Sequence, residues 1–223
     1  MPRPQQKLKY IDLFAGCGGL SLGLHNSHAW KGIFAIERSP DAFTTLSHNL
    51  VDKVAHFDWP EWLKKTNHDI KDVLRKHYSE LSGLKGEVDL VAGGPPCQGF
   101  SFAGRRREDD ERNSLIHSYL DFIELVEPKM ILFENVKGFK LGFRKEDRSR
   151  GIPYSEVVLE RLRQLGYGDA QAHIIDFSKF GVPQERKRCI IFATKRGNSA
   201  EFFDRLDREA AEFLKSKGLK SRQ

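Results

Sequence analysis

Short apolar runs separated by amphipathic stretches recur along the whole chain, and this alternation limits the fold more than any other feature. KYIDLF (9–14), GIFAIE (32–37), VAHFD (54–58), VDLVAGG (88–94), MILFENV (130–136) and RCIIFAT (188–194) each read as a buried strand. Between them, helices are predicted near Leu20–Asn26, from a cap at Asp41 to about Leu50, over 61–78, over Leu115–Val126 and over Val157–Leu165, the last closed by Gly166. The stretch from Ser199 onward reads as an amphipathic helix. Strands alternating with helices give an α/β fold class, a doubly wound and mostly parallel sheet. At 223 residues, one domain spanning 1–223 is expected.

In such sheets ligands bind beyond the carboxyl ends of the strands. Chemistry-bearing residues gather there: Gly16-Cys17-Gly18-Gly19 after the first strand, Glu37 after the second, Asp58 after the third, Pro95-Pro96-Cys97 after the fourth and Glu134-Asn135 in the fifth. The glycines permit a tight turn and a close approach of backbone to ligand. Their spacing is neither G-x-G-x-x-G nor a P-loop, and a merely structural turn would look the same. Glu37 sharpens the reading, because a carboxylate at the end of a second strand can accept both hydroxyls of a ribose. Phe14 either packs on a purine or fills the core. Asp58 is a candidate acceptor for an adenine amino group.

The stretch GPPCQGFS (94–101) carries the reactive chemistry. Two prolines end a buried strand and hold the next side chain, Cys97, rigidly. A thiolate is a strong nucleophile where its setting favours ionisation. A small buried cysteine is the bland alternative, and it fits Cys189 better; Cys17 belongs to the glycine turn. Glu134, partly buried, suits a general acid or a structural ion pair. In QERKR (184–188), which is expected to open the last strand, alternation points Gln184, Arg186 and Arg188 one way and Glu185 and Lys187 the other.

A formal charge of +6 agrees with an acidic partner. Three distant cysteines make neither a disulfide framework nor zinc spacing, so no metal is expected. No apolar run is long enough to span a bilayer and MPRPQQKLKY has no secretory h-region, so an intracellular, reducing location is expected.

Taken in order, IDLFAGCGGLSLGL (11–24), GGPPCQGFS (93–101), FENV (133–136) and QERKR (184–188) resemble the first cofactor motif, the nucleophile motif, the acidic motif and the Gln-x-Arg-x-Arg motif of the cytosine-5 DNA methyltransferase family. The resemblance implies an S-adenosylmethionine-dependent methyltransferase fold and double-stranded DNA as partner. By it, Cys97 attacks carbon 6 of a flipped cytosine, Glu134 contacts ring nitrogen 3 and the exocyclic amine, Arg188 holds O2, and Arg186 favours the thiolate. Phe14, Gly16, Gly18, Glu37, Pro96 and Leu115 would line the cofactor pocket. Residues 98–112 match the family's mobile loop, with Ser101, Arg105 and Arg106 facing DNA together with Gln184.

The family's complete enzymes continue beyond the last of these motifs into a target-recognition domain and two further motifs. Only a charged helix follows here, so the chain is expected to be one subunit of a split enzyme, with a truncated gene as the rival reading. Two other functions compete. One is methylation of tRNA cytosine, against which the absence of a downstream Cys-Phe-Thr speaks. The other is an inert cofactor-binding regulator, against which the presence of Cys97 and Glu134 speaks.

Overall fold

The computed structural model describes residues 6–96, 114–140 and 152–219. Its strands are β1 (Leu8–Leu13), β2 (Trp30–Ile36), β3 (Leu90–Gly93), β4 (Met130–Val136), β5 (Gln171–Asp176) and β6 (Lys187–Thr194). The helices are α1 (Gly19–Asn26), α2 (Pro40–Leu46), α3 (Ile70–Lys76), α4 (Tyr78–Ser82), α5 (Ser114–Val126), α6 (Tyr154–Gln164) and α7 (Ser199–Ser216). The sheet runs in the order β2-β1-β3-β4-β6-β5. β1 is parallel to β2 and to β3, and β5 is antiparallel to β6. The α/β class expected from the alternation of segments is the observed one.

The chain divides into two compact units. The first holds the described residues up to Pro95 together with Ser114–Ile131; the second holds Pro96 and the described residues from Leu132 onward. In the first, β1 is the middle strand, and Tyr10, Ile11 and Leu13 are fully buried. That is the expected state of a parallel strand covered on both faces. α5 packs with Ile116, Tyr119, Leu120 and Ile123, an i, i+3, i+4, i+7 stripe, all buried. In the second unit, Ile175, Ile190 and Phe203 form a core cluster joined by half-buried Leu206 and Phe177. Gly166, at φ 91°, follows the end of α6 as anticipated.

Several sequence expectations need correction. Residues 54–58 form no strand, only an isolated bridge between Phe57 and Gly32. Ala55 stands in the left-handed region at φ 46°, which interrupts extended backbone. The Phe57 ring covers Gly32 so closely that a β-carbon there would lie 2.2 Å from it. Helix does not fill 61–78. The segment before α3 is tied down instead: Trp59 Nε1 donates to the Leu63 carbonyl at 2.8 Å, and the His68 amide donates to the Glu37 carbonyl at 2.7 Å. Asp69, not an earlier residue, then caps α3. Likewise Ser39 rather than Asp41 caps α2, its hydroxyl accepting from the Ala42 amide, and α2 runs on through a π-helical turn, Ser47–Asp52. β5 was not anticipated, although Ala172 and Ile175 in QAHIID are its buried positions.

Candidate active site

The glycine turn leaves the end of β1 with three departures from ordinary backbone, at alternate residues. Phe14, Gly16 and Gly18 have φ 58°, 55° and 86°. Phe14 is the informative one, because a left-handed aromatic residue costs on the order of 1–3 kcal/mol and persists only where the surroundings impose it. The two glycines meet different demands. A β-carbon on Gly18 would lie 3.0 Å from Leu50 and 3.2 Å from Leu46, whereas one on Gly16 would meet nothing within 4 Å. Gly18 is therefore needed for packing as well as for its dihedral angle, and Gly16 faces open space.

Glu37 immediately follows β2 and fastens this turn. Its Oε2 accepts the Gly16 amide at 2.8 Å and its Oε1 accepts the Ser39 amide at 2.7 Å. The Ala15 amide also donates to the Ile36 carbonyl at 3.0 Å. Glu37 and the glycines are thus brought together within the first unit, as the sequence predicted. Beneath the turn lies a group the sequence reading missed. Asp12, only 1% exposed, accepts the Ser21 hydroxyl at 2.6 Å. Burial pushes its carboxyl up to about 7, against the pull of the Ser21 bonds. The available signal was an acid inside the otherwise apolar run KYIDLF, since buried carboxylates are rare without a partner.

The second unit holds the acid and the arginines. Glu134 stands on β4 and Arg188 on β6, neighbouring strands in the sheet. Arg188 Nε is 2.9 Å from Glu134 Oε1 and Arg186 Nη2 is 3.6 Å from the same oxygen. Arg188 is the more enclosed, with 22% of its side chain exposed against 46% for Arg186. Lys187 turns the opposite way, to Glu185 at 2.8 Å and Asp176 at 3.6 Å. The alternation predicted for QERKR therefore holds for its arginines. The strand itself begins only at Lys187, so Gln184, Glu185 and Arg186 belong to the preceding turn, and Gln184 is exposed. The turn still delivers Arg186, because the Phe177 amide pins its carbonyl at 2.9 Å.

Other predicted residues fall as follows. Leu115 is half-buried in the first turn of α5, and Pro96 is exposed after β3. Asp58 is 68% exposed and pairs with Lys31 at 3.2 Å. Cys189 is buried, as expected of a structural thiol, and Cys17 is exposed. Cys97, Ser101, Arg105 and Arg106 lie outside the described residues. Among the described residues there is no group of three His, Cys, Asp or Glu able to hold a metal ion, and no helix is long and apolar enough to cross a membrane.

Comparison with known proteins identifies the family. The family model for C-5 cytosine-specific DNA methylase matches residues 8–221. The type II methyltransferase M.AgeI of Thalassovita gelatinovora is 36% identical over 190 residues, which make up 85% of this chain and 40% of that protein. The type II methyltransferase M.AquIA of Picosynechococcus is 30% identical over 202 residues, 87% of this chain and 75% of that protein. In fold, the Entamoeba histolytica methyltransferase EhMeth superimposes with a TM-score of 0.62 at 20% identity, covering 86% of this chain and 54% of that one. The chain thus spans well under half of M.AgeI and most of M.AquIA. With its glycine turn, its acidic strand and its paired arginines all inside the matched region, the chain belongs to the C-5 cytosine-specific DNA methylase family.

Proposed function

We propose that this chain is the catalytic part of an S-adenosylmethionine-dependent DNA (cytosine-5-)-methyltransferase. The observation that carries the reading is the meeting of Glu134, Arg186 and Arg188 at one carboxylate oxygen, from two segments far apart in sequence. An acid flanked by two fixed guanidiniums matches what an extruded cytosine presents: a ring nitrogen that gains negative character during addition, an exocyclic amine and a carbonyl oxygen.

The cofactor's fit is argued from the first unit. The open face of Gly16 admits a ligand against backbone, and Glu37 supplies acceptors for a ribose diol. Phe14, Gly18, Asp58 and Leu115 complete the proposed pocket within that unit, and Pro96 is assigned to the cofactor on the family resemblance alone. Bound there, S-adenosylmethionine supplies an electrophilic methyl group. The chain's own residues make the cytosine able to accept it. Cys97 adds through sulfur to carbon 6, and the electron pair of the 5,6 double bond moves into the ring. Glu134, taking up a proton from water as the entering ring displaces it from its arginines, delivers that proton or a strong hydrogen bond at nitrogen 3, and Arg188 holds O2. Carbon 5, made nucleophilic, would take the methyl while the donor sulfur keeps the bonding pair; carbon 5 then gives its proton to water, and the electron pair left behind re-forms the 5,6 double bond and expels the Cys97 thiolate. Arg186 favours the ionised form of Cys97. Ser101, Arg105, Arg106 and Gln184 contact DNA, the arginines mainly at phosphate.

A second polypeptide carrying the target-recognition domain remains part of the proposal. The 75% coverage of M.AquIA supports it, because a relative little longer than this matched region exists in the family. The test mixes the chain, labelled S-adenosylmethionine and either duplex DNA or tRNA. Label entering DNA cytosine supports the reading, and label confined to tRNA overturns it. Robust sequence-specific methylation by this chain alone would remove the need for a second polypeptide.

A further inference from the structure

A line of buried polar side chains runs under the cofactor turn. His25 Nδ1 and His56 Nδ1 are 3.0 Å apart, and His56 Nε2 is 2.9 Å from the Tyr10 hydroxyl. Tyr10 and Asp12 are two residues apart on β1, and the Ser21 hydroxyl donates to Asp12 at 2.6 Å. His56, Ser21, Tyr10 and Asp12 are all buried. Nothing in methyl transfer as derived above uses them. Asp12 lies near the end of β1 and Ser21 in the first turn of α1, so their bond clasps the two ends of the segment 14–19.

Resting on the proposed identity of the cofactor, we propose that Asp12, clasped by Ser21 across the glycine turn, is a positioning residue through which the turn senses the positive charge of the cofactor. On either side of Asp12 in the sheet stand Ala35 and Ala92, so the strands beside it bring no countercharge. The groups that face it are Tyr10 on its own strand, Ser21 on α1 and Glu37 after β2. Behind Tyr10, His56 is surrounded by His25, Lys7, Lys31 and Asp58. Asp12 stands two residues before Phe14 and is bonded to Ser21 in the first turn of α1, so it lies at the base of the turn whose Gly16 amide Glu37 holds. Burial raises Asp12 to about 7, and a sulfonium cation bound above it favours the ionised carboxylate. Binding therefore expels the proton from Asp12. The methyl-depleted product, S-adenosylhomocysteine, has a neutral sulfur and expels less.

Isothermal titration calorimetry of the full chain in buffers of differing ionisation enthalpy tests this. Expected is proton release on binding S-adenosylmethionine near pH 6.5, with little on binding S-adenosylhomocysteine. Affinity for S-adenosylmethionine should rise about five- to tenfold from pH 6 to pH 8 if the bound cation lowers Asp12 by one unit or more. Ser21→Ala, which removes a bond that favours the carboxylate, should move that rise to higher pH, and Asp12→Asn should abolish it. Pure loss of packing would lower affinity equally at every pH. If S-adenosylmethionine binds with equal affinity and no proton release across this range, the inference fails while the proposed function stands. If neither compound binds at any pH, both fail.

Discussion

The two units hold their functional groups in opposite ways. In the first, the glycine turn is fixed at its backbone, by left-handed dihedrals and by amides given to Glu37, over a fully buried side-chain bond from Ser21 to Asp12. In the second, Glu134 is held by side chains alone, and each member of the cluster keeps some exposure. A ligand retained throughout a reaction needs a preformed cradle. A base that must enter, react and leave needs groups that can exchange one partner for another. On the proposed reading, Glu134 bonded to its arginines awaits the ring that would share them.

Substitutions in the two places should separate along the same line. The largest effect is expected from Glu134→Gln, which keeps the shape and removes the acid. Turnover should fall by roughly 10²–10⁴, with the dissociation constant for S-adenosylmethionine unchanged within about twofold. A parallel loss of cofactor affinity would mean that the two sets of residues are not separable.

Glu37→Ala should do the reverse. It removes the acceptor of the Gly16 and Ser39 amides, so S-adenosylmethionine affinity should fall about ten- to a hundredfold, as for loss of hydrogen bonds to a charged group. Equilibrium binding without DNA measures it.

Between the arginines, Arg188→Ala should reduce turnover more than Arg186→Ala, by roughly tenfold against a few-fold. Arg188 sits nearer Glu134 and is less exposed, so its loss leaves the acid less well oriented. Equal effects would show that the guanidiniums act only as a diffuse field.

Stability changes come last. Gly93→Ala brings a β-carbon to 2.6 Å from the Leu13 carbonyl and 3.0 Å from Tyr119, so about 1–3 kcal/mol of stability should be lost. Gly16→Ala meets no neighbour and should lose only about 1–2 kcal/mol, from its left-handed dihedral. Thermal unfolding compares them. The cofactor should rescue Gly93→Ala as it stabilises the parent chain and should rescue Gly16→Ala less.

Much of this was legible in the sequence, for identifiable reasons. β1 and β3 carry apolar runs that bury both faces, β2, β4 and β6 carry apolar runs of strand length, and α5 has its stripe and a proline just beyond its end. Glu37 with Gly16 and Glu134 with its arginines were readable because each stands at a strand's end or on an alternating face. What was missed depends on contacts distant in sequence. The Phe57 ring on Gly32 replaces a strand by a single bridge. The ties to Arg38 and Glu37 prevent helix before Asp69. Asp12 was passed over as part of an apolar run, since only the fold brings Ser21 onto it. β5 is short and its two buried positions, Ala172 and Ile175, lie three apart, so it has no strand signal of its own and forms only beside β6.

The most direct test uses DNA bearing 5-fluorocytosine, incubated with the chain and S-adenosylmethionine. Fluorine cannot leave carbon 5 as a proton does, so a sulfur bonded to carbon 6 stays there. The expected result is a protein–DNA species that survives denaturation, maps to the peptide containing Cys97 and is absent in Cys97→Ala. A crosslink mapped elsewhere or persisting in Cys97→Ala, or no crosslink while both DNA and cofactor are bound, would contradict the account.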